Sequence, residues 1–360
     1  MRARNLLTMV GGIVVPRRYF ACSCGQCGSP MDAWAGIGSR TVSEHVRRVV
    51  AVAGGAWSFD QASAKLRELC RLKISDETVR AICDEEGERA GRWMKRDERI
   101  AVSLAQAPGE LEFSVDGTSV NTVDGWREIR LSVLCKRESG VAAEPGQWDD
   151  RVLPVPSFRL AWSGIAGCER IGAGWSRAFA RLGVRKDEPL SVIADGAKWI
   201  WEQAAKRLPG GDNTQWCVDV YHVSEHLHAC GKAMFGQEDA RARRWADEQL
   251  EHLLDVGGVA FIKRLDGMIE SEACQPHRDA MRKLRNYLDE HRDSMWYRQR
   301  LAAGRPIGSG LIEGGCKNVL GSRLKLNSAR WRVRRAERMA HLRCLDYSGL
   351  WDVYWDKRVA

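Results

Sequence analysis

The 360-residue sequence has no apolar run approaching the roughly 20 residues that a membrane-spanning helix needs. It also lacks the composition of a collagen, a disordered tail or a disulfide mini-protein: 44% of residues are hydrophobic and 29% charged, enough for two or three compact units. The small neutral residues of a signal-peptide cleavage site are missing too. The apolar stretch Leu6 to Val15 is followed by Pro16, Arg17, Arg18, Tyr19 and Phe20, which argues against secretion. Most of the twelve cysteines stand alone in apolar patterns, as Cys70, Cys83, Cys135, Cys217 and Cys344 do, and read as reduced core thiols of a cytoplasmic, nucleoid-associated protein. Phenylalanine is scarce, seven against fifteen tryptophans, and some of these indoles could stack on bases.

The most informative scarcity is of acids near the end of the chain. From Arg305 to Cys344 there are ten basic residues and only two acidic ones, so forty residues hold +8 of a total net charge of +9. A solvated helix face would intersperse acids. A stripe this one-sided favours a polyanion, because Lys and Arg contacts to phosphates release condensed counterions.

Along the chain, Ile13 to Phe20 alternates like a strand and leads into Cys22, Cys24 and Cys27. The Cys24-x-x-Cys27 spacing suits a zinc knuckle, and no second knuckle stands nearby to complete a ribbon. Residues 1–35 therefore read as a partial zinc-ribbon-like hairpin. Residues 36–107 read as helical, with capping boxes at Thr41-x-x-Glu44 and Ser58-x-x-Gln61 and a third N-cap at Ser75. The short turn Arg71 to Ile74 suggests a helix-turn-helix. Against that stands the acidity of the would-be recognition helix, which carries Asp76, Glu77, Asp84, Glu85, Glu86 and Glu88.

Beyond Pro108 strands take over. Leu111, Phe113 and Val115 alternate, as do Ile129, Leu131 and Val133, and read as antiparallel neighbours; Phe158 to Trp162 is a third strand and Cys168 to Leu182 a helix. A buried strand at Leu190 to Ala197, a strand at Trp216 to Tyr221 and a helix follow. This is an α/β core, 108–225, interrupted by a helical insertion, 226–303, and completed by 304–360 with basic helices.

Two apolar strands end in one design, Phe113-Ser-Val-Asp116-Gly-Thr and Val192-Ile-Ala-Asp195-Gly-Ala. An Asp at a strand mouth with Gly beside it can present oxygen to a metal. A third acid, Glu313, sits in a glycine-rich run directly before most of the basic stripe. Singly, each Asp-Gly reads more readily as a turn; together with the stripe they suggest a catalytic triad.

These stretches, with Gly125 to Ile129, Ile193 to Ile200, Asp219-Val-Tyr-His222 and Pro306 to Asn318, resemble DDE-type transposases of bacterial insertion sequences, of the ISKra type related to the Mutator-like group. The resemblance spans Pro108 to Trp355 and implies a ribonuclease-H-like core. It implies Asp116, Asp195 and Glu313 as catalytic ligands for two Mg²⁺ (or Mn²⁺) ions, and Asp219 and His222 as an auxiliary pair. The partner it implies is double-stranded DNA, both element ends and target, bound by a homodimer or higher assembly. Lys317, Arg323, Lys325, Arg330, Arg332, Arg334 and Arg335 would clamp phosphates, with Trp331 or Trp126 stacking on an unpaired base. Relatives of this type carry a fuller N-terminal module, so a truncated start, with Cys22, Cys24 and Cys27 as half of a Zn²⁺ site, is expected. Two other readings compete: a non-catalytic DNA-binding protein or decayed transposase, and a zinc metallopeptidase built on His222-x-x-Glu225-His226.

Overall fold

The computed structural model describes residues 2–34 and 41–359. Strands β1 (Arg2–Thr8) and β2 (Gly11–Arg17) form an antiparallel hairpin that pairs Leu6 with Ile13, so the apolar N-terminal stretch is folded back on itself. The expected strand from Ile13 to Phe20 is broken after Arg17; Phe20 and Ala21 start a separate two-residue ladder, β3 (Phe20–Ala21) with β4 (Cys27–Gly28). A short helix, α1 (Pro30–Trp34), follows. The expected boundary at 35/36 lies outside the described residues.

Four helices come next: α2 (Glu44–Ala56), α3 (Phe59–Cys70), α4 (Asp76–Met94) and α5 (Glu98–Gln106). Ser58 and Ser75 occupy N-cap positions, but only Ser75 caps with its side chain, so the expected Ser58-x-x-Gln61 box does not form, and the first cap is Ser43, not Thr41. The Thr41 carbonyl instead accepts from Leu7 N (2.8 Å), tying the hairpin to the helices, and Ser43 Oγ accepts from Val46 N (3.3 Å). Arg71 ends α3 in the left-handed region (φ 54°).

A five-stranded mixed sheet follows, making the chain a mixed α/β protein. Its strands are β5 (Glu110–Thr122), β6 (Gly125–Arg137), β7 (Phe158–Gly164), β8 (Leu190–Ala194) and β9 (Thr214–Val218), in the order β7-β6-β5-β8-β9. β5, β6 and β7 are antiparallel neighbours, whereas β8 and β9 run parallel to β5. Helices α6 (Cys168–Leu182) and α7 (Lys198–Arg207) make the crossovers. Trp175 of α6 is fully buried against Phe113 (ring centroids 5.3 Å apart), and its indole N–H donates to Ser132 Oγ (2.9 Å).

The last core strand lies earlier than expected. β9 ends at Val218, because Asp219 caps α8 (Val220–Phe235) and places Tyr221 in the helix. That helix runs across the expected 225/226 boundary, so the insertion grows out of the element carrying His222. It continues through α9 (Ala240–Val256), α10 (Gly258–Glu270), α11 (Arg278–Glu290) and α12 (Tyr297–Ala302). Phe261, Leu265, Leu288 and Tyr297 share an apolar cluster with Val218 and Val220, which seats the insertion on the sheet edge.

The chain then forms α13 (Gly310–Gly315), a π-helical stretch Cys316–Gly321, α14 (Ser322–Leu324), α15 (Val333–Tyr347) and α16 (Trp351–Val359). α15 lies across α4, and two glycines permit the approach. A Cβ on Gly87 would fall 2.1 Å from Arg338 O, and one on Gly91 would fall 2.4 Å from His341 Nδ1. Val46, Ile82, Phe113, Val192, Ala340 and Trp355 therefore belong to one core. Among the described residues no helix is long and apolar enough to cross a membrane.

Candidate active site

Asp116 lies within β5 rather than at its end, because the β5–β6 hairpin continues beyond the last residue of β8. β5 and β8 pair Phe113 with Val192 and Ser114 with Ile193. β8 ends at Ala194, so Asp195 follows directly after the strand, near enough for its charge to act on Asp116. Asp116 accepts from Gly117 N (2.6 Å) and from the Cys316 thiol; Asp195 accepts from Ala197 N (3.0 Å). Among the described residues neither has a Lys or Arg at ion-pair distance. Burial raises the pKa of Asp116, and the charge of Asp195 raises it further. Two acids that repel each other with no Lys or Arg beside them are an environment that a hard divalent ion relieves, and oxygen is the donor such an ion selects.

Asp219 is bound to the same strand end, its N–H donating to Ala194 O (2.9 Å). Its buried carboxylate accepts from Tyr221 N (3.1 Å), Ser309 N (3.1 Å), Ser309 Oγ (2.6 Å) and His222 Nδ1 (3.2 Å). Burial alone would raise its pKa, but these bonds, that of His222 foremost, lower it. His222 responds in the opposite sense: the bond to Asp219 raises its pKa to about 9, so the ring is an imidazolium at neutral pH. The charge of Asp195 acts on His222, and that of His222 acts on Asp116.

Glu313 reaches this place from α13. One ligand atom from each of Asp219, His222 and Glu313 lies within 4.8 Å of the others. The surrounding glycines have a steric purpose. A Cβ on Gly308 would meet the Tyr221 ring at 2.8 Å, and one on Gly315 would meet Leu131 Cδ2 at 3.0 Å. Because Asp219 already accepts four hydrogen bonds, its lone pairs are occupied. It orients His222; Asp116 and Asp195 are not among the ligand atoms gathered with Glu313, which also pairs with Lys317 (3.6 Å). Ser309 and Cys316 were not expected from the sequence; each is a short polar residue in a glycine-rich run with no local signature of its own.

No protein-family model matches this chain, and neither does any curated protein. The case for function therefore rests on the residues themselves.

The basic stripe divides in two. Six of its ten cations have carboxylate partners: Arg305 with Glu110, Lys317 with Glu313, Arg334 and Arg338 with Glu88, Arg335 with Asp84, and Arg343 with Asp346. Arg334 and Arg335, expected on phosphates, instead bind the acids of α4. That accounts for Asp84 and Glu88 of the supposed recognition helix, which pack against α15, while Glu85 and Glu86 pair with Arg47 of α2. Arg323 is also turned inward. At 3% exposure it donates to Gly54 O (2.8 Å) and lies over the Phe59 and Trp331 rings. Trp331 is 5% exposed, and its indole N–H is bonded to Leu324 O (3.0 Å), so it cannot stack on a base as placed.

Lys325, Arg330 and Arg332 remain exposed without an acidic partner among the described residues. Lys325 Nζ bonds Thr118 Oγ1, and Arg330 donates to the Thr122 and Val123 carbonyls (3.4 and 3.2 Å), so both lie along β5 beyond Asp116. Trp126, across the hairpin from Asn121, is 70% exposed.

The remaining candidates are dispersed. Cys22, Cys24 and Cys27 are exposed free thiols. The only group of three or more ligand atoms brought together among the described residues is Asp219, His222 and Glu313; neither the three cysteines nor Asp116, Asp195 and Glu313 form such a group. Nor do His222, Glu225 and His226 converge: His222 faces Asp219, whereas the His226 ring stacks on Tyr287 with centroids 3.6 Å apart.

Proposed function

We propose that this chain is a DNA transposase of the DDE type, cleaving strands at the ends of an insertion sequence and joining the released 3′-OH to target DNA. One observation carries the reading: Asp116 on β5 and Asp195, directly after the parallel β8, interact through their charges with no Lys or Arg partner among the described residues, and both act with the His222 that Glu313 also approaches. A ribonuclease-H-like core belongs to the same proposal. It is supported by an antiparallel half joined to a parallel half, with one acid on each side of the junction and a helical insertion before the third.

Asp116, Asp195 and Glu313 would hold two Mg²⁺ or Mn²⁺ ions, which supply Lewis acidity for in-line displacement at phosphorus. The chain's own groups do the rest. Asp219 fixes His222 through Nδ1, leaving Nε2 as a charged donor for a phosphate oxygen. Lys325, Arg330 and Arg332 hold the duplex along β5, and the exposed Trp126 offers a ring to an unpaired base.

Excision of a marked element in cells tests the reading. Asp116→Asn, Asp195→Asn and Glu313→Gln should each abolish excision while the proteins still accumulate and bind DNA. Undiminished excision by all three would leave a non-catalytic DNA-binding protein as the better description.

A further inference from the structure

Alternate residues of β6 face opposite sides of the sheet. Leu131 meets Gly315 of α13, whereas Ser132 accepts from Trp175 of α6, so α6 covers the face turned away from α13. Trp162 of β7 pairs with Ser132 and shares that face; its neighbour Ser163 points the other way, toward Cys344 of α15 (Sγ to Oγ 3.7 Å). Around this edge strand, between α6, α15 and the end of α4, lies a cavity of about 500 Å³. That volume is within the range of small-molecule sites.

Its wall has two characters. Met94, Leu160, Trp162 and Ile171 make part of it apolar, and the Trp162 ring is stacked on Phe113 with centroids 6.0 Å apart. Five cations also line it, Lys95, Arg130, Arg170, Arg177 and Arg181, against one acid, Glu337. Of the five, only Arg130 has a carboxylate partner among the described residues, Glu128. Glu337 Oε1 is taken by Ile165 N (3.1 Å), and His341 is kept neutral by burial, its pKa lowered to about 4. Arg170, Arg177 and Arg181 follow one stripe of α6, with rises of about 10 and 6 Å along the helix axis. Like charges four residues apart, as Arg177 and Arg181 are, destabilise a bare helix, and an anion between them relieves the repulsion.

Gly174 adds a steric argument. It stands in the interior of α6 between Arg170 and Arg177, where glycine is the poorest helix former after proline. It lines the cavity, yet a Cβ there would meet nothing within 4 Å. No contact among the described residues demands a glycine at this position; a molecule seated against α6 would.

We infer that this cavity binds a nucleotide, with its phosphates on Arg170, Arg177 and Arg181 and its base against Trp162 and Met94. Cations without acids call for an anion, and the apolar wall calls for a ligand that also carries an uncharged, flat body. The site lies across the sheet from α13 and needs no metal, so it stands or falls separately from the phosphoryl-transfer reading. A free nucleotide and the phosphorylated 5′ end of a DNA strand share this chemistry, and the two arms of the test separate them.

The test is isothermal titration calorimetry of the full chain in EDTA, with ATP in one arm and a short single strand carrying a 5′-phosphate in the other. At least one arm should show saturable binding. Arg177→Gln should weaken it about tenfold or more, and because the change removes a like-charge pair, the free protein should melt no lower than the wild type. Gly174→Leu, which fills the cavity, should weaken binding at least as much while keeping the wild-type melting temperature or raising it. Binding confined to ATP assigns the free nucleotide. Binding confined to the strand, and lost when its 5′-phosphate is removed, assigns the strand end. The inference is overturned if neither probe binds, or if either folded variant binds within about twofold of the wild type. It is also overturned if pyrophosphate alone binds as tightly as the better of the two probes, since the apolar wall would then contribute nothing.

Discussion

Replacing Asp116 by Asn should make the metal-free protein more stable. The charge of Asp195 acts on Asp116, and a carboxylate separation on the order of 5–6 Å is the scale set by a strand spacing of about 4.8 Å. At an effective dielectric near 20 their repulsion is about 3 kcal/mol, and solvent at these half-buried positions reduces it to about 1–2 kcal/mol. The folded pKa of Asp116 is raised above its unfolded value. Folding therefore favours the protonated acid, and the wild type loses stability relative to Asp116→Asn as pH climbs from the unfolded pKa through the folded one. In EDTA at pH 7 the variant should melt about 1–3 °C higher, with the gap closing toward pH 4. Adding Mg²⁺ should reverse the order, because the wild type gains a ligand that binds only the folded state and the variant largely does not. Calorimetry in both buffers checks each step. A variant that melts lower than the wild type in EDTA, or gains as much from Mg²⁺, would refute the reading of these acids as an electrostatically frustrated metal site.

The Asp219–His222 pair makes the complementary pH prediction. With the folded pKa of His222 raised to about 9, its stabilisation is complete below the unfolded value near 6.5 and is lost as pH rises through 9, so Asp219→Asn should flatten melting temperature against pH between 6 and 10. Gly87→Ala forces a Cβ onto the Arg338 carbonyl and should lower stability by about 2–3 kcal/mol in urea, whereas Gly174→Ala, on an open face of α6, should be neutral or stabilising. Arg330→Ala and Arg332→Ala should each reduce the slope of log K against log salt for duplex binding by about 1. Arg335→Ala, which removes the partner of Asp84, should instead lower stability and leave that slope unchanged.

Local signals were legible where the chain acts locally. The hairpin of β5 and β6, the bounds of α6, the N-cap positions of Ser58 and Ser75, and the two Asp-Gly strand motifs all follow from patterns spanning a few residues. What could not be read depends on distant partners. Thr41 has the residue type of a cap, yet its carbonyl is taken by Leu7, and the helix begins two residues later. Arg323 and Trp331 look like surface residues in a basic tract; burial against Phe59 decides otherwise. Asp84 and Glu88 of α4 and Arg334, Arg335 and Arg338 of α15 seemed unbalanced alone, because they are counter-charges of one another across some 250 positions. Ser309 and Cys316 are invisible for the same reason, since their partners lie on α8 and β5.

The clasp between α4 and α15 also sets a timetable. Asp84 and Arg335 are separated by 251 positions, so at a ribosomal rate of about 5–20 residues per second the acidic helix waits on the order of 10–50 s for its partner to be synthesised. During that interval Gly87 and Gly91 line an open furrow and the surrounding carboxylates face solvent. A nascent chain stalled before Val333 would thus carry a negatively charged, unfilled groove where the finished protein is closed.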